Sequence, residues 1–343
     1  VEQDGAKLRA FTEQGLKAVA CEVAEAKELA PVLAGHDAVI SACPYYLTPA
    51  VAQAAKDAGV HYFDLTEDVE STRVVKKLAD GAKTAFVPQC GLAPGFISIA
   101  ANGVLQGFEK LRDVRMRVGA LPIFPSNALK YNLTWSTDGL INEYCNPCQA
   151  VVAGDLRETL ALEEVETFSL DGIDYEAFNT SGGLGTLAET LAGRVETLNY
   201  KTVRYPGHRD IMKTLIGDLG LGKRRGLLKD VLETAVPITF QDVVLVFVTV
   251  SGGREGLLVQ ESFARKIYSQ MVAGRLLSAI QLTTAAAVCA MVDLQRAGAL
   301  PRSGFLRQED VPLATFLANR FGGYYAAGAS ANDGQSLHAV RMA

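Results

Sequence analysis

Four histidines occur in this 343-residue chain, and His208 has the most suggestive neighbours. It closes the run Lys201-Thr202-Val203-Arg204-Tyr205-Pro206-Gly207-His208, where a strand gives way to a helix. Polar side chains at such a junction can project into a cleft, and imidazole titrates near neutrality, which makes His208 a candidate proton carrier. A helix N-cap or a satisfied surface histidine is the alternative, and spacing by itself favours it. A second polar cluster runs from Lys130 to Tyr144 around the single tryptophan, Trp135. Asp138, Asn142 and Lys130 are candidates to line a pocket there, while Ser136 and Asp138 suit equally the cap of the following helix. Glu143 is helically spaced from Leu140, which also fits a solvated position. The run Thr180-Ser181-Gly182-Gly183-Leu184-Gly185-Thr186 has the look of a phosphate cradle before a helix but lacks the Lys-Ser/Thr of a P-loop. It reads better as a tight turn lining a substrate pocket. Cys145 and Cys148 have metal-like spacing, yet no second Cys or His pair lies nearby, and chance is the better reading.

These residues must be held by the elements around them. Residues 1 to 95 alternate strand and helix with short connections. Helix Ala6 to Gln14 precedes strand Lys17 to Ala20, and helix Ala24 to Leu33 precedes strand Asp37 to Ala42. Helix Pro49 to Ala58 then precedes strand Val60 to Leu65. That order predicts a parallel sheet covered on both faces, a dinucleotide-binding domain whose ligand lies beyond the carboxyl ends of the strands. Those ends are Ala42-Cys43-Pro44-Tyr45-Tyr46, Asp64-Leu65-Thr66 and Gln89-Cys90-Gly91. Val1 reads as the end of a further strand, which makes Glu2 a candidate for the ribose hydroxyls and favours NAD over NADP. A solvated loop position is its alternative. No G-x-G-x-x-G precedes it, since a first βα unit needs roughly 30 residues. The expectation is a fragment or a late start, and a sheet short of its central strand is expected to fold poorly alone.

After the turn-rich hinge Gln89 to Gly95, helix Phe96 to Gln106 leads into an α+β domain with a mostly antiparallel sheet, residues 96–259. Its strands are read at Val114 to Val118, Gln149 to Ala153, Val165 to Leu170, Val195 to Tyr205 and Val243 to Val250. A long helical region is expected from Gln260 to Arg296, stopped by Gly298 and Pro301. The segment 260–325 is read as C-terminal helices and 326–343 as a disordered tail. The charge of −5, without a basic block, argues against nucleic acid as a partner. No apolar run approaches the ~20 residues of a membrane span. Six scattered cysteines suit reduced thiols in a cytoplasm.

Taken together, the chain resembles the saccharopine dehydrogenase-like family, and within it the lysine 6-dehydrogenase branch. The resemblance rests on Ser41 to Tyr46, Tyr62 to Thr66, Gly91-Leu92-Ala93-Pro94-Gly95, Thr134-Trp135-Ser136, Gly139 to Tyr144, Thr180 to Gly183 and Lys201 to His208. It covers roughly residues 1 to 325, in consistent order. It implies a homodimeric nicotinamide enzyme, using NAD or NADP, that acts on the carbon–nitrogen bond of a small amino acid. In the favoured form, hydride leaves the carbon bearing the lysine side-chain amine and the imine is hydrolysed to a semialdehyde. A saccharopine or carboxylated-polyamine dehydrogenase or reductase using NADP(H) is one alternative, and an inactive remnant lacking the phosphate loop is the other. The resemblance also implies C-terminal helices that pack back on the dinucleotide-binding domain. On that reading Arg204 is the candidate for the substrate carboxylate, a surface ion pair with an acid being its alternative, and Lys130 or His208 accepts the amine proton or activates the hydrolytic water. Asp138 or Glu143 would anchor the cationic end, and Trp135 and Thr180 would line the pocket. Cys43, Pro44, Tyr45, Asp64, Thr66, Gly91, Leu92 and Pro94 would lie along the cofactor, with Tyr46 beside Tyr45.

Overall fold

The computed structural model describes residues 5–326. Glu2 and the segment 327–343 lie outside the described residues. The first sheet is parallel, in the order Ala38–Ser41, His61–Asp64, Ala85–Val87, Gly304–Phe305. Its strands are short and apolar because helices cover them. Val51, Ala52 and Ala55 of helix Thr48–Ala58 and Val75 of helix Val69–Ala79 pack on Tyr62 and Phe86 in one buried cluster. Asp68 caps the second of these helices, its Oδ2 accepting from Ser71 N at 2.8 Å, which satisfies an otherwise unpaired first-turn donor. Lys17 to Val19, expected as a strand, form none, and Ala20 makes one isolated bridge. An apolar run becomes a strand only where a neighbour completes its ladder. Among the described residues, Ala38–Ser41 is laddered to His61–Asp64 alone.

The second sheet has eight strands and is antiparallel except for one pair, Lys110–Pro122 beside Thr197–Arg204. Its long members are Lys110–Pro122, Asp242–Arg254 and Leu257–Tyr268. The last of these corrects the sequence reading, because the first half of the expected helix Gln260 to Arg296 is strand. The reason is visible in Phe263 and Ile267, which are both buried. A spacing of four suits a helix face, but it equally selects one face of a strand. The turn decides: Glu255 and Gly256 both have positive φ, 51° and 76°, the two-residue hairpin geometry that folds Leu257–Tyr268 back on Asp242–Arg254. The helix begins only at Ala279 and runs to Arg296. Its start is fixed by a capping box between Ser278 and Gln281. Asp242 reinforces it, accepting from Ala279 N at 2.5 Å and Ile280 N at 3.0 Å.

This helix shares a core with helix Phe96–Leu105 and with the inner face of the long strands. The chain then returns to the parallel sheet, where Gly304–Phe305 pairs with Ala85–Phe86. Buried Glu309 ties the return to the second domain, accepting from Thr186 Oγ1 at 2.8 Å and Thr190 Oγ1 at 2.6 Å. No helix among the described residues is long and apolar enough to cross a membrane.

Candidate active site

The carboxyl ends of the parallel strands face the second sheet across a cavity of about 280 Å³. One wall is made by Cys43, Pro44 and Tyr45, by Thr66 and Glu67, and by Gly91 to Pro94. The turn carrying the last group is built for close approach. Gly95 has φ 133°, and a Cβ there would stand 2.1 Å from the carbonyl oxygen of Gly91, so a side chain is sterically excluded. The opposite wall comes from Trp135, Asp138 and Glu143 around helix Thr137–Cys145, and from strand Thr197–Arg204. That strand presents Tyr200, Thr202 and Arg204 to the cavity, as its two-residue side-chain period requires. Ile280 and Thr284 of the long helix close the end.

Arg204 is buried, and no carboxylate among the described residues lies within ion-pair distance of it. Its Nε donates to Tyr144 Oη at 3.0 Å, its Nη1 donates to Val203 O at 2.9 Å, and the guanidinium lies over the Tyr131 ring, 4.9 Å from the centroid. Behind it, His208 Nδ1 meets the carbonyl of Leu129 at 2.9 Å, and Nε2 meets Tyr144 Oη at 3.1 Å. A carbonyl only accepts, so Nδ1 carries the hydrogen and Nε2 accepts from the tyrosine. Burial and the neighbouring Arg204 push the imidazole down to about 3. His208 is therefore neutral and stands one side chain behind the cavity, where it orients Tyr144 and through it Arg204. Lys130 is not brought to the cavity. It is exposed, and its Nζ donates to Pro206 O at 2.9 Å.

The acids divide in the same way. Glu143 is buried in the cavity wall, and burial together with the charge of Glu67 pushes its carboxyl up to about 8. Glu67, which sequence reasoning passed over, has its Oε1 buried without a hydrogen-bond partner. Asp138 lines the rim and pairs with Lys229 at 2.6 Å. Asp64 lies beneath the strand ends, accepting from Tyr62 Oη at 2.8 Å, Thr66 N at 3.0 Å and Gln89 N at 2.8 Å. Burial raises it to about 6. Its role here is to clasp two strand ends together. Thr180 sits behind Thr202, hydroxyl to hydroxyl at 2.7 Å. Cys43, Pro44, Tyr45, Thr66, Gly91, Leu92, Pro94, Trp135, Asp138, Glu143 and Arg204 are thus brought to one cavity. Glu2 lies outside the described residues. Glu67, Tyr200 and Thr202 were legible in principle: the first follows the strand end Asp64 to Thr66, and the others share alternating parity with Arg204.

The saccharopine dehydrogenase C-terminal domain matches residues 91–321, and the saccharopine dehydrogenase NADP binding domain matches residues 1–85. The chain belongs to the saccharopine dehydrogenase family. It is 22% identical to bovine (Bos taurus) mitochondrial alpha-aminoadipic semialdehyde synthase over 70% of this chain and 27% of that protein. With the saccharopine dehydrogenase [NADP(+), L-glutamate-forming] of Saccharomyces cerevisiae it shares 26% identity over 61% of this chain and 49% of that protein. The chain spans about a quarter to a half of the length of these curated relatives. Apo saccharopine dehydrogenase (L-Glu forming) from Saccharomyces cerevisiae has the same fold, with a TM-score of 0.73 over 92% of this chain and 90% of that one at 17% identity.

Proposed function

We propose that the protein is a nicotinamide-dependent oxidoreductase acting on the carbon–nitrogen bond of an amino acid with a single carboxylate, the lysine side-chain amine being the reacting group. The observation that carries this reading is Arg204, a buried guanidinium with no carboxylate partner among the described residues, facing a cavity that Glu67 and Glu143 share. An unpaired buried cation is costly. A substrate carboxylate supplies its partner, in the two-pronged geometry that guanidinium favours.

The cavity also suits a dinucleotide. Strand ends of a parallel sheet form one wall, as this fold requires, and Ser41 Oγ at one such end is buried without a partner. Cys43 to Tyr45, Thr66 and Gly91 to Pro94 would hold the nicotinamide end, which supplies a hydride acceptor when bound. The matched NADP binding domain supports NADP, while Glu2 supports NAD. Residues of this chain do the rest. Arg204 fixes the carboxylate, Trp135 and Tyr200 exclude bulk water, and the acids hold the proton that the reacting amine must lose.

A second reading is saccharopine, favoured by the names of the relatives. Its three carboxylates suit less well a lining in which, among the described residues, Arg204 is the one cation against Glu67, Asp138 and Glu143. Following nicotinamide absorbance with lysine and with saccharopine, each with NAD⁺ and NADP⁺, separates the two. Lysine-dependent reduction is expected. Reduction with saccharopine alone would replace the first reading by the second, and reduction with neither would end both.

A further inference from the structure

We propose that Glu67 is the catalytic base that takes the proton from the substrate ammonium, and that Glu143 beside it keeps a proton of its own. This rests on the oxidoreductase reading above. In the step, one N–H bond breaks, its electron pair stays on nitrogen, and an O–H bond forms on Glu67. Ammonium and carboxylate become amine and carboxylic acid, and the freed lone pair can then assist loss of hydride from the adjacent carbon.

Three observations converge on Glu67. Glu67 lines the same cavity as Arg204, and its Oε1 is buried beside Gly139 without a hydrogen-bond partner, so the carboxyl, with Asn142 as its side-chain hydrogen-bonding neighbour, keeps unused acceptor capacity. Its backbone is gripped: Gly182 has φ 85°, and a Cβ there would lie 2.3 Å from the Glu67 carbonyl oxygen. The same turn holds Glu143, whose carbonyl accepts from Ser181 N at 2.9 Å. One turn therefore holds the backbones of both acids while their side chains line one cavity, and like charges in a shared buried site disfavour ionisation of both.

The other candidates are disposed of by position. Lys130 is exposed outside the cavity, His208 is neutral behind Tyr144, and Asp138 is bound to Lys229. The charged and titratable groups that bear on the pair are Asp64 and Asp68 from the segment carrying Glu67, and Tyr144 from the helix of Glu143. Arg204 and Tyr200 come from the facing strand, with Tyr131 and Cys148 at the flanks.

The test combines kinetics with a measurement that needs no turnover. Glu67→Gln should lower kcat on lysine by roughly 100-fold or more while KM moves much less, the usual scale for a lost general base. Glu67→Asp should keep part of the rate, and formate added to Glu67→Ala should restore some of it, which a merely structural residue would not allow. Separately, ¹³C NMR of labelled glutamate side chains should show the Glu143 midpoint falling in Glu67→Gln, because the opposing charge is gone. A Glu67→Gln enzyme within about threefold of wild type, or a Glu143 midpoint that does not move, overturns the proposal. Wild-type protein inactive on every substrate and cofactor offered would instead defeat the oxidoreductase reading, and the NMR shift would still decide whether the two carboxylates are coupled.

Discussion

Two buried arginines sit on opposite faces of the same sheet and lead opposite lives. Arg117, on strand Lys110–Pro122, stands in register with Lys201, and both are bonded to Glu166. Arg204 is on the adjacent strand, where alternation turns it to the cavity, and it is bonded to a tyrosine and a backbone carbonyl. Burial is nearly equal, at 3% exposure for each. One cation is neutralised by the chain's own fold, and the other has no carboxylate partner among the described residues. That difference is what supports the proposal that the face carrying Arg204 is the site.

The sharpest way to break that comparison is to remove each guanidinium in turn. Arg204→Met should lower kcat/KM by about three orders of magnitude, since a buried charge-assisted carboxylate contact is worth several kcal/mol. Stability in urea should stay within about 1 kcal/mol or rise, because no ion pair is lost. Arg117→Met should do the reverse, losing roughly 1–3 kcal/mol of stability with little change in turnover. The loss is kept below that of a fully buried pair because Glu166 is about one-third solvent-exposed. Equal effects on activity would erase the distinction.

The pH dependence of stability sharpens it further. Glu143 has its folded value raised to about 8, so its contribution is full below its unfolded value and is lost as pH rises through 8. His208 is lowered to about 3. It must stay neutral to remain buried, and stability is lost as pH falls from its unfolded value toward 3. Urea melts should show Glu143→Gln flattening the alkaline slope and His208→Gln flattening the acid one. On the other face, the hydrogen bonds and charges of Arg117 and Lys201 outweigh burial and hold Glu166 below the usual carboxylate range. Its contribution is present above that range and lost in acid. An alkaline slope unchanged by Glu143→Gln, or an acid slope unchanged by His208→Gln, would place those titrating groups elsewhere.

The smallest effect is expected at the rim. Asp138→Asn breaks an ion pair whose side chains are 40% and 36% exposed, so stability should change by under about 1 kcal/mol. Turnover should change by less than about tenfold. A hundredfold loss would move the ammonium-binding role from the cavity acids to the rim.

Much of this was legible before any coordinates. Ala42 to Tyr45, Leu65 to Thr66 and Gly91 to Pro94 are strand ends and turns whose chemistry is local, and they line the cavity as their positions in a parallel sheet require. Arg204 was legible for its place at a strand end. The segment Leu257–Tyr268 was not, because its four-residue apolar spacing satisfies two secondary structures and only pairing with Asp242–Arg254 chooses between them. Lys130 and His208 looked alike as proton carriers. Nothing in their neighbours along the chain distinguishes a lysine that bonds the Pro206 carbonyl outside the cavity from a histidine enclosed by Phe178, Tyr144 and Tyr131.

The sequence by itself determined the alternation of strand and helix, the hinge at Gln89 to Gly95 and the set of polar side chains near strand ends. Periodicity, turn chemistry and capping act over a few residues and are written in order along the chain. Tertiary structure alone decided which of those side chains carry charge. Glu67, Glu143 and Arg204 come from three separate elements, and their ionisation depends on burial and on one another's fields, which exist only once those elements are packed together.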